Sequence, residues 1–233
     1  MNKSLASAWF TLAVAALFFL AAGCSGTTST QSETNSAAFD SVRLPSYSGD
    51  TEIVITHSVN DYKQWLEVYN KNSDPNARIS IYTSSDDPNL VTIYEFTKSH
   101  KDAKNFFNSD GQQNTMQQAG VSSTPVVHYY DVKYRAENET NKIYRLGVSH
   151  VVEDYNRWKK GFDEHGPIRT EAGLELRWIA TDADDSTLVH VIFATDDIDK
   201  AKDVITSVDL KQKMKEAGVV SGPEIVVLKI PNP

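Results

Sequence analysis

The feature that most constrains this 233-residue chain is that its second half repeats its first. His57-Ser58-Val59-Asn60-Asp61-Tyr62, followed by Trp65 and Tyr69, is answered by His150-Val151-Val152-Glu153-Asp154-Tyr155, followed by Trp158 and Phe162, at an offset of 93 positions. Met116-Gln117-Gln118-Ala119-Gly120-Val121 with Pro125 is answered by Met214-Lys215-Glu216-Ala217-Gly218-Val219 with Pro223, at an offset of 98. The second copy therefore carries five extra residues between its first helix and the acidic turn that follows. Collinear blocks of this kind mark a duplication, so the chain must fold as two similar units.

Each copy has the same local periodicities. Ile53, Ile55, His57 and Val59 alternate with Val54, Thr56 and Ser58, and Leu146, Val148, His150 and Val152 keep that parity. Period two over this length predicts a strand, with both histidines pointing into the layer of Ile55 and Val148. Asp61 and Asp154 stand where a carboxylate can cap a helix. Tyr62, Trp65, Leu66 and Tyr69 then share one helical face, as do Tyr155, Trp158 and Phe162. Second strands are expected at residues 78–83 and, from the alternation of Leu174, Leu176, Trp178 and Ala180, in copy two. Acidic turns at Asp86-Asp87-Pro88-Asn89 and at Asp182 to Asp185 lead into strands at 90–96 and 188–194. Helical stretches follow at 99–119 and 198–217, broken near Ser109 and Ser207 and stopped by Gly120 and Gly218. Residues 126–134 and 225–230 close each copy. The order β-α-β-β-α-β is the ferredoxin-like split unit, with helices on one face of its sheet. The fold class expected is α+β, with tandem ferredoxin-like repeats at 51–138 and 139–233 forming a pseudo-dimer within one chain, their sheets packed face to face.

The motifs His-x-Val-x-Asp-Tyr-x-x-Trp and Met-x-x-Ala-Gly-Val-x-x-x-Pro, with the acidic hairpin between them, resemble the small dimeric α/β-barrel proteins of the antibiotic-biosynthesis-monooxygenase-like and cyclase-like group. The resemblance extends over nearly all of residues 51–230. Copy two also has Phe162-Asp163-Glu164-His165 followed by Arg169 and Gly173, where copy one has Tyr69-Asn70-Lys71-Asn72. The group includes cofactor-free oxygenases, cyclases, isomerases and haem proteins. The resemblance thus implies that the pseudo-dimer is a dimeric-α/β-barrel-like unit within one chain, with a cavity better kept in copy two, and it leaves the reaction open.

Residues 1–23 have a secretory layout: Lys3, an uncharged apolar run from Leu5 to Ala22, and then Leu20-Ala21-Ala22-Gly23-Cys24. This ending resembles a bacterial lipobox, which implies cleavage before Cys24 and acylation of that residue, the only cysteine in the chain. Residues 24–50 read as the acylated cysteine and a polar tether. The expectation is a lipoprotein of the cell envelope, held to the membrane by its N-terminal lipid and, if the cell is Gram-negative, facing the periplasm from the outer membrane, as Ser25 implies. With Lys and Arg at 23 against 31 Asp and Glu, the net charge of −8 argues against a nucleic-acid partner. Metal-binding, phosphate-loop and serine-hydrolase motifs are missing, so no metal and no cofactor are expected.

The candidate catalytic residues are His165, Arg169 and His150. A histidine would move a proton and the guanidinium would hold negative charge. His165 and Arg169 are separated by Gly166-Pro167, which places them on either side of a loop mouth. His57, Trp65, Tyr62, Tyr155, Trp158 and Trp178 are candidates for the lining of a ligand cavity. The competing expectation for His57 and His150 is a core imidazole satisfied by a backbone or hydroxyl partner, and for the tryptophans plain core packing. Two functions follow. The first is an envelope module that binds a small apolar or aromatic ligand or serves as a docking platform. The alternative is a cofactor-independent enzyme, of monooxygenase, cyclase or isomerase type, acting on a small enolisable or aromatic compound.

Overall fold

The computed structural model describes residues 51–73, 79–97 and 99–232, so the segments expected to be a signal peptide, an acylated Cys24 and a tether lie outside the described residues. Repeat one runs β1 (Thr51–Ser58), α1 (Tyr62–Asn72), β2 (Ile79–Ser84), β3 (Leu90–Thr97), α2 (His100–Phe107), α3 (Asp110–Gln118) and β4 (Val126–Arg135). Repeat two runs β5 (Tyr144–Val151), α4 (Tyr155–Glu164), α5 (Gly166–Glu171), β6 (Glu175–Asp182), β7 (Leu188–Thr195), α6 (Ile198–Thr206), α7 (Val208–Glu216) and β8 (Glu224–Lys229). The β-α-β-β-α-β order thus occurs twice. The second helical stretch of each copy breaks at a serine because Ser109 and Ser207 cap new helices, accepting from the N–H of Gln112 and Leu210. Gly120 and Gly218, at φ of 76° and 88°, supply the left-handed residue that ends those helices. Among the described residues no helix is long and apolar enough to cross a membrane.

All strand pairings are antiparallel, giving β4-β1-β3-β2 in repeat one and β8-β5-β7-β6 in repeat two. The sheets do not simply stack face to face. They join along both edges: β4 pairs β6 from Tyr130↔Asp182 to Arg135↔Trp178, and β2 pairs β8 through Thr83↔Lys229 and Ser84↔Leu228. The result is one closed eight-stranded barrel. Closure satisfies the backbone groups that an open edge strand would leave unpaired.

This topology sorts the side chains into three apolar layers. Ile53, Ile55, Trp65, Val91 and Ile93 pack between the first sheet and its helices. Leu146, Val148, Trp158, Val191 and Phe193 do the same in repeat two. Val54, Tyr130, Val132, Trp178, Ala180 and Ile192 fill the barrel lumen, with Tyr94 and Phe96 against them. Trp178 departs from the expected alternation. Leu176 pairs Phe193 and Trp178 pairs Ile192, so β6 carries one extra residue and the parity flips at this bulge. Trp178 is therefore a lumen residue, on the far side of the sheet from Trp158.

Candidate functional site

Between the second sheet and its helices lies a cavity of about 60 Å³. Strands β5 and β7 floor it with Val148, His150, Val191 and Phe193. Helix α4 brings Trp158, Gly161 and Phe162; His165, Arg169 and Leu174 come from the segment around α5; Ile205, Leu210, Lys213, Met214 and Ala217 come from α6, α7 and the residue that ends α7.

The floor holds an unusual imidazole. His150 is 5% exposed, yet neither ring nitrogen has a hydrogen-bond partner among the described residues. Its ring meets Trp158 at 5.5 Å between centroids. Burial without a partner penalises the charged form and pushes the imidazole down to about 4, so it is neutral at pH 7. The expected backbone or hydroxyl partner is missing because β5 directs this side chain at an aromatic helix face and an apolar void.

His165 is held differently. Its Nδ1 lies 2.6 Å from the Gly161 carbonyl oxygen. A carbonyl only accepts, so Nδ1 carries a hydrogen. Gly161 is required at this place for a second reason: a Cβ there would stand 2.7 Å from the Ala217 Cβ, so only glycine lets α4 approach the end of α7. Arg169 lies with its guanidinium carbon 3.6 Å from the centre of the Phe162 ring. Desolvation, opposed by Asp163, lowers the guanidinium to about 10, which leaves it cationic at neutral pH. His165 and Arg169 do not flank a loop. The Gly166-Pro167 step starts α5, because Pro167 occupies the first turn, where a missing N–H costs no helical hydrogen bond.

Four expected site residues therefore meet in one cavity: His150, Trp158, His165 and Arg169. Tyr155 packs against the same core, 5.7 Å from Trp158, without lining the cavity. His57, Tyr62 and Trp65 form the corresponding group in repeat one, where His57 is 3% exposed, unpartnered at both nitrogens, pushed to about 4 by burial, and 5.7 Å from Trp65. Trp178 belongs to the lumen, edge-on to Tyr94, Tyr130 and His190. The sequence reading passed over Gly161, Leu210, Lys213 and Met214. The one signal available for Gly161 was that the first copy has Val68 in its place.

The lumen has its own polar groups. Arg135 donates to Glu52 at 2.9 Å and lies over the Phe96 ring. Ser149 pairs with His190, and Tyr130 stacks on that ring at 5.2 Å. Burial, with His128 and His150 adding, pushes His190 down to about 3. Among the described residues no cluster of three or more His, Cys, Asp or Glu side chains could hold a metal ion.

No protein-family model matches the chain, and no curated protein matches it. Solved structures do. An anthrone oxidase-like protein superposes with a TM-score of 0.53 at 8% identity, over 79% of this chain and 92% of the other. A monooxygenase-like protein of Lactobacillus acidophilus gives 0.52 at 8% identity, over 77% and 93%. Chlorite dismutase of Candidatus Nitrospira defluvii gives 0.51 at 9% identity, over 79% and 92%. Likeness at this identity is likeness of fold: this chain is an α+β protein with the ferredoxin-like, dimeric α/β-barrel architecture, closed here within one polypeptide.

Proposed function

We propose that the cavity of repeat two is an enzyme site that moves a proton on a small enolisable or aromatic compound without a cofactor. The observation that carries this reading is His150, a buried imidazole without a partner, facing the same void as His165 and Arg169. A neutral imidazole can take a proton from an acidic C–H or O–H of the substrate. The bonding pair stays behind as an enolate or phenolate, the proton resides on the ring nitrogen, and Arg169 holds the negative charge at the oxygen. The anion formed beside His150 offsets the desolvation that depresses its basicity in the empty cavity. The monooxygenase-like and oxidase-like names of the structural neighbours point the same way. The lipobox-like segment ending at Cys24 supports placing this activity at the cell envelope, on a membrane-anchored protein.

The reading is tested with cyclohexanone in deuterated buffer, following exchange of its α-hydrogens by NMR. The full chain should accelerate exchange above buffer, and His150→Ala should remove on the order of 10²-fold or more of that rate, whereas His57→Ala should leave it unchanged. A chain that binds cyclohexanone without accelerating exchange would be a binding module instead. Envelope anchoring is tested separately: Cys24→Ser should abolish uptake of labelled palmitate, and equal uptake by the variant would overturn it.

A further inference from the structure

We infer that the ligand of this cavity is a small oxyanion, no larger than one six-membered ring, whose charged oxygens sit against Arg169 and Lys213. The inference rests on reading the cavity as the substrate site and names what that site admits.

Charge is the first argument. Arg169 and Lys213 are the cationic side chains of the lining, and neither Asp nor Glu contributes to it. Lys213 has Glu216 at 3.5 Å, outside the cavity lining. Among the described residues Arg169 has no carboxylate within ion-pair distance, although Asp163 lies near enough to act on its charge. The nearby Asp163 places both carboxylate oxygens on Lys159, at 2.7 and 2.6 Å. The contact recorded for the guanidinium is the face of Phe162, which offers no hydrogen-bond acceptor. A half-buried cation whose recorded contact is an aromatic face, at the rim of an otherwise apolar space, is stabilised by an arriving oxyanion that accepts from its fork of donors.

Size is the second argument. An apolar cavity of roughly 150 Å³ accepts benzene, and this one measures about 60 Å³. A single ring enters only by extending toward the rim where the two cations stand, and a fused second ring has no place. Arg169 lies on α5, in the stretch where repeat two carries its five extra residues.

The test is calorimetric titration of the full chain with benzoate, benzamide and 2-naphthoate, which separate charge from size. Benzoate should bind at least about tenfold more tightly than benzamide, and 2-naphthoate should not bind. Arg169→Gln should weaken benzoate by about tenfold or more and leave benzamide unchanged. Equal binding of benzoate and benzamide would overturn the anion preference, and 2-naphthoate binding as tightly as benzoate would overturn the size limit. Ile205→Phe, which imports the residue that repeat one has at Phe107, fills the cavity and should abolish benzoate binding. Leu210→Phe, at a half-buried site, serves the same purpose if the first variant does not fold. If benzoate and benzamide bind alike and both are lost on filling, the cavity remains a substrate site and only its ligand class is wrong. If filling changes nothing, or no probe binds, the inference fails, and cyclohexanone exchange decides the proton-transfer reading on its own.

Discussion

Repeat one and repeat two share a backbone plan and differ in what fills the space between sheet and helices. Both keep the unpartnered histidine against a tryptophan, the aspartate cap at the first helix and the glycine stop at the last. Where repeat two has Gly161, Phe162, Phe193, Ile205 and Leu210, repeat one has Val68, Tyr69, Glu95, Phe107 and Gln112. Phe162 and Phe193 stack at 6.3 Å, whereas Tyr69 stacks on Trp65 at 5.0 Å and its hydroxyl is pushed up by burial and by the charge of Glu95. Bulkier or more polar side chains in repeat one thus stand at positions that border the cavity in repeat two. The lumen diverges in the same manner: Thr56 and Thr92 share a hydrogen bond where Ser149 and His190 do, and Glu52 stands where the second copy has Arg145. The two repeats share the residues that build the layers and differ in those that face the spaces. Repeat two holds the candidate chemistry, and repeat one completes the barrel.

The strongest way to break this comparison is to separate the halves. Residues 51–138 alone would leave the β2 and β4 edges unpaired and expose Val54, Tyr94, Phe96, Tyr130 and Val132 from the lumen. The fragment should self-associate or aggregate in sedimentation experiments and show no cooperative unfolding as a monomer. A stable monomeric fragment would mean that the repeats are independent domains.

Next in size are the matched tryptophans. Trp65 and Trp158 are both 2% exposed, so truncation to Ala should cost about 3 to 5 kcal/mol in each repeat. Trp65→Ala should fall at the upper end. Trp158 borders the void on one side and has fewer contacts to lose. Denaturant midpoints for the pair measure the difference, and a larger loss at Trp158 would contradict the reading that its cavity side leaves it fewer contacts than Trp65 has.

The paired histidines make a pH prediction. His57 and His150 titrate near 6.5 when unfolded and are held at about 4 by burial when folded. The unfolded chain therefore binds protons first, and stability is fully present above pH 6.5 and lost as pH falls through 4. Each group accounts for about 3 kcal/mol over that window, with His190 adding at its lower end. His57→Phe and His150→Phe should each flatten the acid limb of the unfolding curve by a similar amount. A His150 resonance that titrates well above that of His57 by NMR would show that the cavity is wetter than the core of repeat one.

Much of this organisation was legible because duplication exposes itself. Strand parity placed His57 and His150 in the helix-facing layer, and serines marked the breaks at 109 and 207. A barrel-like pseudo-dimer follows from the family resemblance, but the strand pairs that close it were not legible, because pairing of β4 with β6 and of β2 with β8 joins distant segments and leaves no local pattern. Trp178 was misplaced because both faces of β6 are buried, so Leu174, Leu176, Trp178 and Ala180 look alike whether or not a bulge intervenes. Helix α5 was hidden by a Gly-Pro step that ends one helix and opens the next. Lys213 was invisible because a lysine on an amphipathic helix has the same signature whether it faces solvent or the rim of a cavity.

The smallest effect is the sharpest check on what was kept. Asp61 accepts from the Gln64 N–H at 2.9 Å and Asp154 from the Arg157 N–H at 2.7 Å, each from an extended backbone at φ near −150°. Both carboxylates also face the positive end of their helix dipoles. Asp61→Ala and Asp154→Ala should each cost about 1 kcal/mol, and the two losses should agree within a few tenths, because each cap accepts from the backbone N–H three residues on and neither carboxylate lines the cavity. The double variant should show the sum, since distant sites without shared partners add. Unequal losses, or a double variant far from additive, would mean that divergence of the cavity has reached the scaffold, and the separation of layer-building from space-facing positions would no longer hold.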